Sequence, residues 1–312
     1  IYQGARLFAD ARRGAATTGT GPEMAPRGSL TEHLVLTLNT VCGRYYRGGE
    51  VPPTAAPLSA PQPLRAEVVF PPRPWGEGMA KSRFRGLTQI GGEMPCNVMA
   101  DEILTPGEGR IRALFCVGGN PMVAFPNQVK MGAAMDDLEL LVAIDPWMSA
   151  TAKRAHYILP PLLALERADA TLLGELYFEQ PYAHYTERVL EPEGEMIEEW
   201  EFYWELAQRL GVELVVNRQP LPTDRRPDKY ALTAILSRGS RIPLATVRED
   251  TATQGGRFYP EARSAVGPRR PGNTNRFRLL PDEVPAQLAA LLAETLDEEG
   301  RPWPEEVDWC VV

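Results

Sequence analysis

Two short apolar runs, Ala113 to Val117 and Leu140 to Ile144, stand out from the more polar stretches around them. Neither alternates with polar residues, the pattern of strands covered on both faces. Each stops at a turn signal: Gly118-Gly119-Asn120-Pro121 after the first, Asp145-Pro146 after the second. Asn127 and Ser149 are the expected N-caps of the segments that follow. A third strand is expected before Pro160, giving strand, glycine loop, helix, strand, Asp, helix, strand. That order predicts a small parallel α/β sheet. Ligands of such sheets bind outside the carboxyl ends of the strands, where the glycine loop and Asp145 both fall.

Elsewhere the periodicity is mostly helical. Tyr2 to Ala16 reads as a helix feeding a strand-like Ala15 to Thr18, and Gly19-Thr20-Gly21-Pro22 as a loop. Ser29-Leu30-Thr31-Glu32 has the form of a capping box. The helix it opens carries Leu30, Leu34, Leu38 and Val41 on one face and stops at Gly43. Val51 to Pro74 is proline-rich and aperiodic, a linker or surface arm. Past Gly91-Gly92, a short helix is expected over Asn97 to Leu104. Leu172 to Val189 reads as mixed strand, Glu198 to Leu210 as an amphipathic helix closed by Gly211, and Lys229 to Leu236 as a helix. Residues 241–280 are rich in Gly, Arg and Pro and poorly periodic, and Val284 to Leu296 forms a last helix.

Composition narrows the function classes. With 312 residues, 44% hydrophobic and 24% charged, the chain is an ordinary globular sequence long enough for more than one core. A net charge of -8 argues against a nucleic-acid partner, and no apolar run reaches the length of a membrane span. The chain begins at Ile1 rather than Met, which reads as a piece of a longer or processed product; a cytoplasmic location is favoured. Cys42, Cys96, Cys116 and Cys310 are too scattered for a zinc or iron–sulfur set and read as free thiols. No metal site is expected from His33, His156 or His184, which are isolated.

The candidate chemistry therefore sits at the sheet edge. Gly118, Gly119, Asn120 and Pro121 can bring backbone amides close to a phosphate or ribose, or can simply be a strand-ending turn. Asp145 can accept the paired N–H donors of a guanine, or can be an Asx-turn residue before Pro146. Ser149 and Thr151 offer hydroxyls to a ribose or phosphate, with helix capping the plainer use of Ser149. Glu166 and Asp169 are better read as loop charges or partners of Arg167 than as an acid–base pair. Trp200 and Trp204 lie on a helical stripe that reads as core.

Several of these segments together resemble the molybdopterin guanine dinucleotide oxidoreductases, the dimethyl sulfoxide reductase, formate dehydrogenase and nitrate reductase superfamily. The matching residues are Ala113 to Pro121, Leu141 to Pro146, Ser149 to Ala152, Ala155 to Pro160 and Leu165-Glu166-Arg167. Gly19 to Gly28 and Thr37 to Gly49 resemble a more N-terminal block, although Met24-Ala25 stands where many relatives have Gln-His. The specificity lies in the order of the motifs, not in any one of them.

The resemblance implies an α/β fold: a small parallel Rossmann-like sheet flanked by helices, with an incomplete N-terminal lobe and an irregular C-terminal extension. The corresponding division is 1–60, 61–215 and 216–312. It implies a part of an oxidoreductase catalytic subunit that binds one guanosine end of the cofactor through Gly118, Gly119, Asn120, Pro121, Ile144, Asp145, Ser149 and Thr151. The cofactor so implied is molybdopterin guanine dinucleotide with molybdenum or tungsten. An iron–sulfur cluster is expected only in a part of the protein preceding this chain. Electron-transfer subunits are the implied partners, catalytic residues are not identifiable, and the chain alone is expected to be inactive. The alternative is a non-catalytic scaffold or binding module derived from the same family.

Overall fold

The computed structural model describes residues 2–69, 78–89 and 92–293. Gly91, the expected helix end beyond residue 293 and Cys310 lie outside them. Two compact units result: one from Ile1–Pro52, Pro63–Phe70 and Ser264–Val312, the other from Pro53–Gln62 and Pro71–Arg263.

The first unit is built on helices α1 (Tyr2–Asp10), α2 (Thr20–Met24) and α3 (Gly28–Val41), with a last helix over Glu283–Leu292. The expected loop at 19–22 is instead the start of α2. The capping box does not form. Helix α3 opens two residues earlier, after Arg27 in a left-handed conformation, and the Glu32 carboxylate accepts from the Thr18 hydroxyl. Only glycine fits at 28, because a Cβ there would lie 1.9 Å from the Glu23 carbonyl oxygen. The strand-like stretch 15–18 finds no strand partner among the described residues. The buried Asn39 amide takes that role, accepting from Ala16 N at 2.8 Å and donating to Ala16 O at 2.7 Å. Leu30 is buried, Leu38 half-buried, and Leu34 and Val41 are exposed.

The second unit holds the sheet. A 3-10 turn leads into α4 (Met99–Leu104), followed by β1 (Ala113–Val117), α5 (Pro121–Ala124), α6 (Gln128–Asp136), β2 (Leu140–Ile144) and β3 (Tyr157–Leu159). The strands lie in the order β1-β2-β3, all parallel, with Ala113 beside Leu140 and Val142 beside Tyr157. Asn127 caps α6, its side chain accepting from Lys130 N at 3.1 Å. Ile103, Cys116, Met131, Met135 and Leu141 pack together and bury one face of the sheet under α4 and α6. Burying side chains of this size stabilises by about 1.5–3 kcal/mol each. The second crossover differs from expectation. Only a 3-10 turn, Ala152–Arg154, joins β2 to β3. The chain must be back beside β2 by His156, whose N–H donates to Leu141 O and whose Nδ1 accepts from Leu141 N, so no full helix fits.

Beyond the sheet come three two-residue antiparallel ladders and helices α7 (Glu199–Leu210), α8 (Lys229–Leu236) and α9 (Leu244–Gln254). Helix α7 has a true capping box, Glu198 with Glu201, and ends on Gly211 at φ 64. Its Trp204 is buried against Leu221 and Leu232. Helix α9 lies inside the poorly periodic stretch 241–280, where the pattern predicts no helix. Only Leu244 and Val247 on it are buried, too few apolar positions to register as a stripe. The described residues of the proline-rich arm form no helix or strand, yet Leu58 from it is fully buried with Tyr185, Val247 and Tyr259. Glu175 fixes this arm. Its side chain, 2% exposed, accepts from Leu58 N at 2.8 Å and from the Ser59 hydroxyl at 2.6 Å.

Candidate functional site

The parallel register brings the two turn signals together. Val117 and Ile144 are paired at the ends of β1 and β2. The Gly118 amide donates to Ile144 O at 2.9 Å, and the Asp145 amide to Leu159 O at 3.3 Å. The glycine loop and Asp145 thus leave the sheet side by side at its carboxyl edge. Gly118 turns away at φ 59, a conformation that favours glycine, and a Cβ placed on it would meet nothing within 4 Å. The space above the loop is open.

The loop itself is clamped. Asn120 Oδ1 accepts from Thr151 N at 3.2 Å and from the Thr151 hydroxyl at 2.8 Å, while that hydroxyl oxygen accepts from Met122 N at 3.1 Å. Thr151 is fully buried, so its hydroxyl holds the loop to the segment after Asp145 from behind. Ser149 Oγ accepts from Ala152 N at 3.1 Å, the capping role. Pro121 opens α5, and Ile144 is buried beneath the edge. Thr151→Val is expected to lower stability by about 1–2 kcal/mol, because it leaves the Met122 amide without an acceptor. Urea unfolding checks this, and a valine variant as stable as the parent would remove the clamp from the account.

Asp145 is half-buried, and its Oδ1 accepts from Trp147 N at 2.9 Å, an Asx turn. No cation pairs with it among the described residues, and its second oxygen has no partner there. Its charge is felt by Cys116. Burial first, and Asp145 second, push that thiol up to about 11. Iodoacetamide at pH 8 is therefore expected to label the exposed Cys96 and spare Cys116 in the folded chain, as peptide mapping would show. The sequence reading passed over Trp147 and Met148, which are 78% and 60% exposed next to Asp145. An aromatic directly after Asp-Pro at the ligand edge was the available signal.

The other candidates go into the framework. Glu166 accepts from Leu163 N, and Arg167 pairs with Glu199 at 2.9 Å rather than with Glu166 or Asp169. Trp200 Nε1 donates to Glu198 and Trp204 Nε1 to Pro222 O. A cavity of about 730 Å³ lies along α9, where Arg248 is held by Glu187 and the rings of Tyr185 and Tyr230; no residue of the sheet edge lines it.

At this edge the Gly118 N–H is committed to Ile144 O, the space beside Gly118 is open, and the Asp145 carboxylate has no cation partner among the described residues. The described residues hold no group of three or more His, Cys, Asp or Glu placed to grip a metal ion.

Known proteins resemble the chain across this region. A family model described as molybdopterin oxidoreductase matches residues 31–209, more than half of the chain and all of the edge just described. A probable oxidoreductase of Bacillus subtilis strain 168 is 30% identical over 141 residues, which are 44% of this chain and 20% of that protein. The alpha subunit of an NADPH-Fe(3+) oxidoreductase of Geobacter sulfurreducens is 32% identical over 105 residues, 33% of this chain and 12% of that one. The molybdopterin-containing subunit of a thiosulfate reductase of Salmonella typhimurium is 24% identical over 283 residues, covering 85% of this chain and 36% of that subunit. The chain thus spans well under half the length of these relatives. With the family model covering the sheet, the glycine loop and Asp145, the chain belongs to the molybdopterin oxidoreductase family.

Proposed function

We propose that this chain is part of the catalytic subunit of a molybdopterin-dependent oxidoreductase, and that its sheet edge holds a guanosine end of a molybdopterin guanine dinucleotide. The observation that carries the reading is the pairing of the Gly118 amide with Ile144 O, which sets the open glycine loop next to a carboxylate without a cation. The Gly119 amide faces phosphate or ribose, the Gly118 amide being held by Ile144 O. The Asp145 carboxylate accepts from guanine N1–H and N2–H. Asn120 and Thr151 are positioning residues, Ser149 caps the turn behind them, and Pro121 and Ile144 fix the two ends of the edge. The order β1-β2-β3 with a helical first crossover supports a Rossmann-like description of this sheet.

When bound, the cofactor supplies oxygen-atom, hydride or electron transfer at molybdenum or tungsten. This chain's part is to bind and orient it. An iron–sulfur cluster belongs, on this reading, to another part of the protein. Electron-transfer subunits are its partners, a reading supported by relatives that are themselves named as subunits. The test is the portion of nucleotide binding that Asp145→Asn removes. Calorimetric titration should find that portion larger for GMP than for IMP, which lacks the 2-amino group, and absent for AMP. Equal portions for all three would refute the guanine assignment.

A further inference from the structure

We propose that a cavity in the first unit, lined by Tyr45, Arg47, Arg65, Arg269, Asn275 and Phe277, binds a small phosphorylated planar heterocycle, with an adenine mononucleotide as the simplest fit. The cavity measures about 490 Å³, within the usual range for small-molecule sites of about 300–1,000 Å³. It shares no lining residue with the sheet edge, and the inference does not rest on the function proposed there.

Charge is the first support. The whole chain carries a net -8, yet three arginines from three stretches of sequence converge here. None of the three guanidinium groups pairs with a carboxylate among the described residues; the Glu50 carboxylate accepts only from the Arg47 backbone amide, at 2.8 Å. Arg65 donates to Pro268 O at 3.3 Å, and Arg269 donates to Asn275 O at 2.7 Å and to Asn273 Oδ1 at 3.4 Å. These are neutral acceptors, so the positive charge is left for a ligand. The lining has one acid, Glu67, and it is already committed. Oε1 accepts from Arg270 Nε at 2.6 Å, while Oε2 accepts from Arg270 N at 3.0 Å and Asn273 Nδ2 at 3.1 Å. The Arg270 backbone amide leads the groups that hold the Glu67 carboxyl below its ordinary range, so it stays ionised and anchors the wall. Guanidinium forks match phosphate oxygens in pairs, which a single carbonyl acceptor does not satisfy.

The second support is aromatic. Tyr45 and Phe277 stack with centroids 5.0 Å apart at 24°, and both rings are substantially exposed, 44% and 50%. Tyr46, 42% exposed, lines the same cavity. Exposed rings at a concave site are a surface for a further flat ring, and stacking of a base on such rings contributes about 1–3 kcal/mol. Asn275 adds selectivity. Its Nδ2 donates to Val68 O at 3.1 Å, leaving the side-chain carbonyl as an acceptor for an exocyclic ring amine.

The test is titration of the 312-residue chain with AMP, adenosine and inorganic phosphate, with folding of each variant checked by circular dichroism. AMP should bind below about 1 mM, more tightly than either fragment and more weakly as salt is raised. The exposed pair change Arg65→Gln with Arg269→Gln should weaken AMP about tenfold or more. Phe277→Ala should weaken AMP and leave inorganic phosphate unchanged. Asp145→Asn should leave AMP binding as it was. The proposal is overturned by undetectable AMP binding, by AMP binding that Asp145→Asn abolishes, or by arginine variants that bind like the parent. Phosphate binding as tightly as AMP would likewise overturn it, by removing the ring from recognition.

Discussion

Replacing Asp145 by Asn is expected to weaken guanine-nucleotide binding at the sheet edge about tenfold or more, without a matching loss of stability. A carboxylate presents two acceptors to the adjacent N1–H and N2–H donors of guanine. An amide presents one acceptor and one donor, so one donor of the base faces another donor. A hydrogen-bonding pair left half-made costs about 1–3 kcal/mol, and tenfold is about 1.4 kcal/mol. The fold has no comparable need for the charge. Asp145 Oδ1 accepts from Trp147 N at 2.9 Å, and the Asn carbonyl oxygen preserves that turn while its amide group takes the free position. Affinity and stability therefore separate. GMP titration read beside a thermal melt distinguishes the two roles: lost affinity with an unchanged melt marks a ligand contact, whereas an unchanged affinity with a lowered melt makes Asp145 only a turn residue.

Why Asp145 was legible in the sequence, and Thr151 only as a residue type, is a matter of range. The strands Ala113–Val117 and Leu140–Ile144 were readable to the residue because the apolar runs are unbroken, although only the second is covered on both faces: Leu141 to Ile144 are buried, whereas on the first only Cys116 is. Strand ends then located Gly118 and Asp145. Helix Lys229–Leu236 was equally plain, with Asp228 capping through Ala231 N. The geometry that sequence could not supply comes from distant pairs. The partner of Asn120 is Thr151, and Ala16 is answered by Asn39. In the second case a local β pattern was real, but an amide side chain replaced the neighbouring strand. Helix Leu244–Gln254 was hidden for a different reason: Leu244 and Val247 are its whole buried face, and tertiary packing, not periodicity, makes it a helix.

Replacing Glu175 by Ala is expected to destabilise the second unit by about 2–4 kcal/mol. The side chain is 2% exposed and joins the Gly174–Tyr177 turn to the proline-rich arm through Leu58 N and the Ser59 hydroxyl. Alanine leaves the Leu58 amide without its acceptor and opens a void beside Leu58, which is itself fully buried. Relief from burying a carboxyl offsets part of the loss. Burial raises the Glu175 pKa above the ordinary 4.5, and the hydrogen bonds from Ser59 and Leu58 pull only partly against it. The folded chain therefore holds this proton more tightly than the unfolded chain. Stability from this group is greatest below about 4.5 and declines as pH rises through the window up to the raised folded value. Glu175→Gln should avoid that decline, because the amide carbonyl accepts from Leu58 N and the amide N–H donates to Ser59 Oγ. Urea midpoints for the parent, the alanine and the glutamine variants across pH 4 to 8 test both statements. Glutamine should gain on the parent as pH rises, with alanine lowest throughout; a parent that gains on glutamine with rising pH would mean that Glu175 is stabilised as the anion and that the sign argued here is wrong.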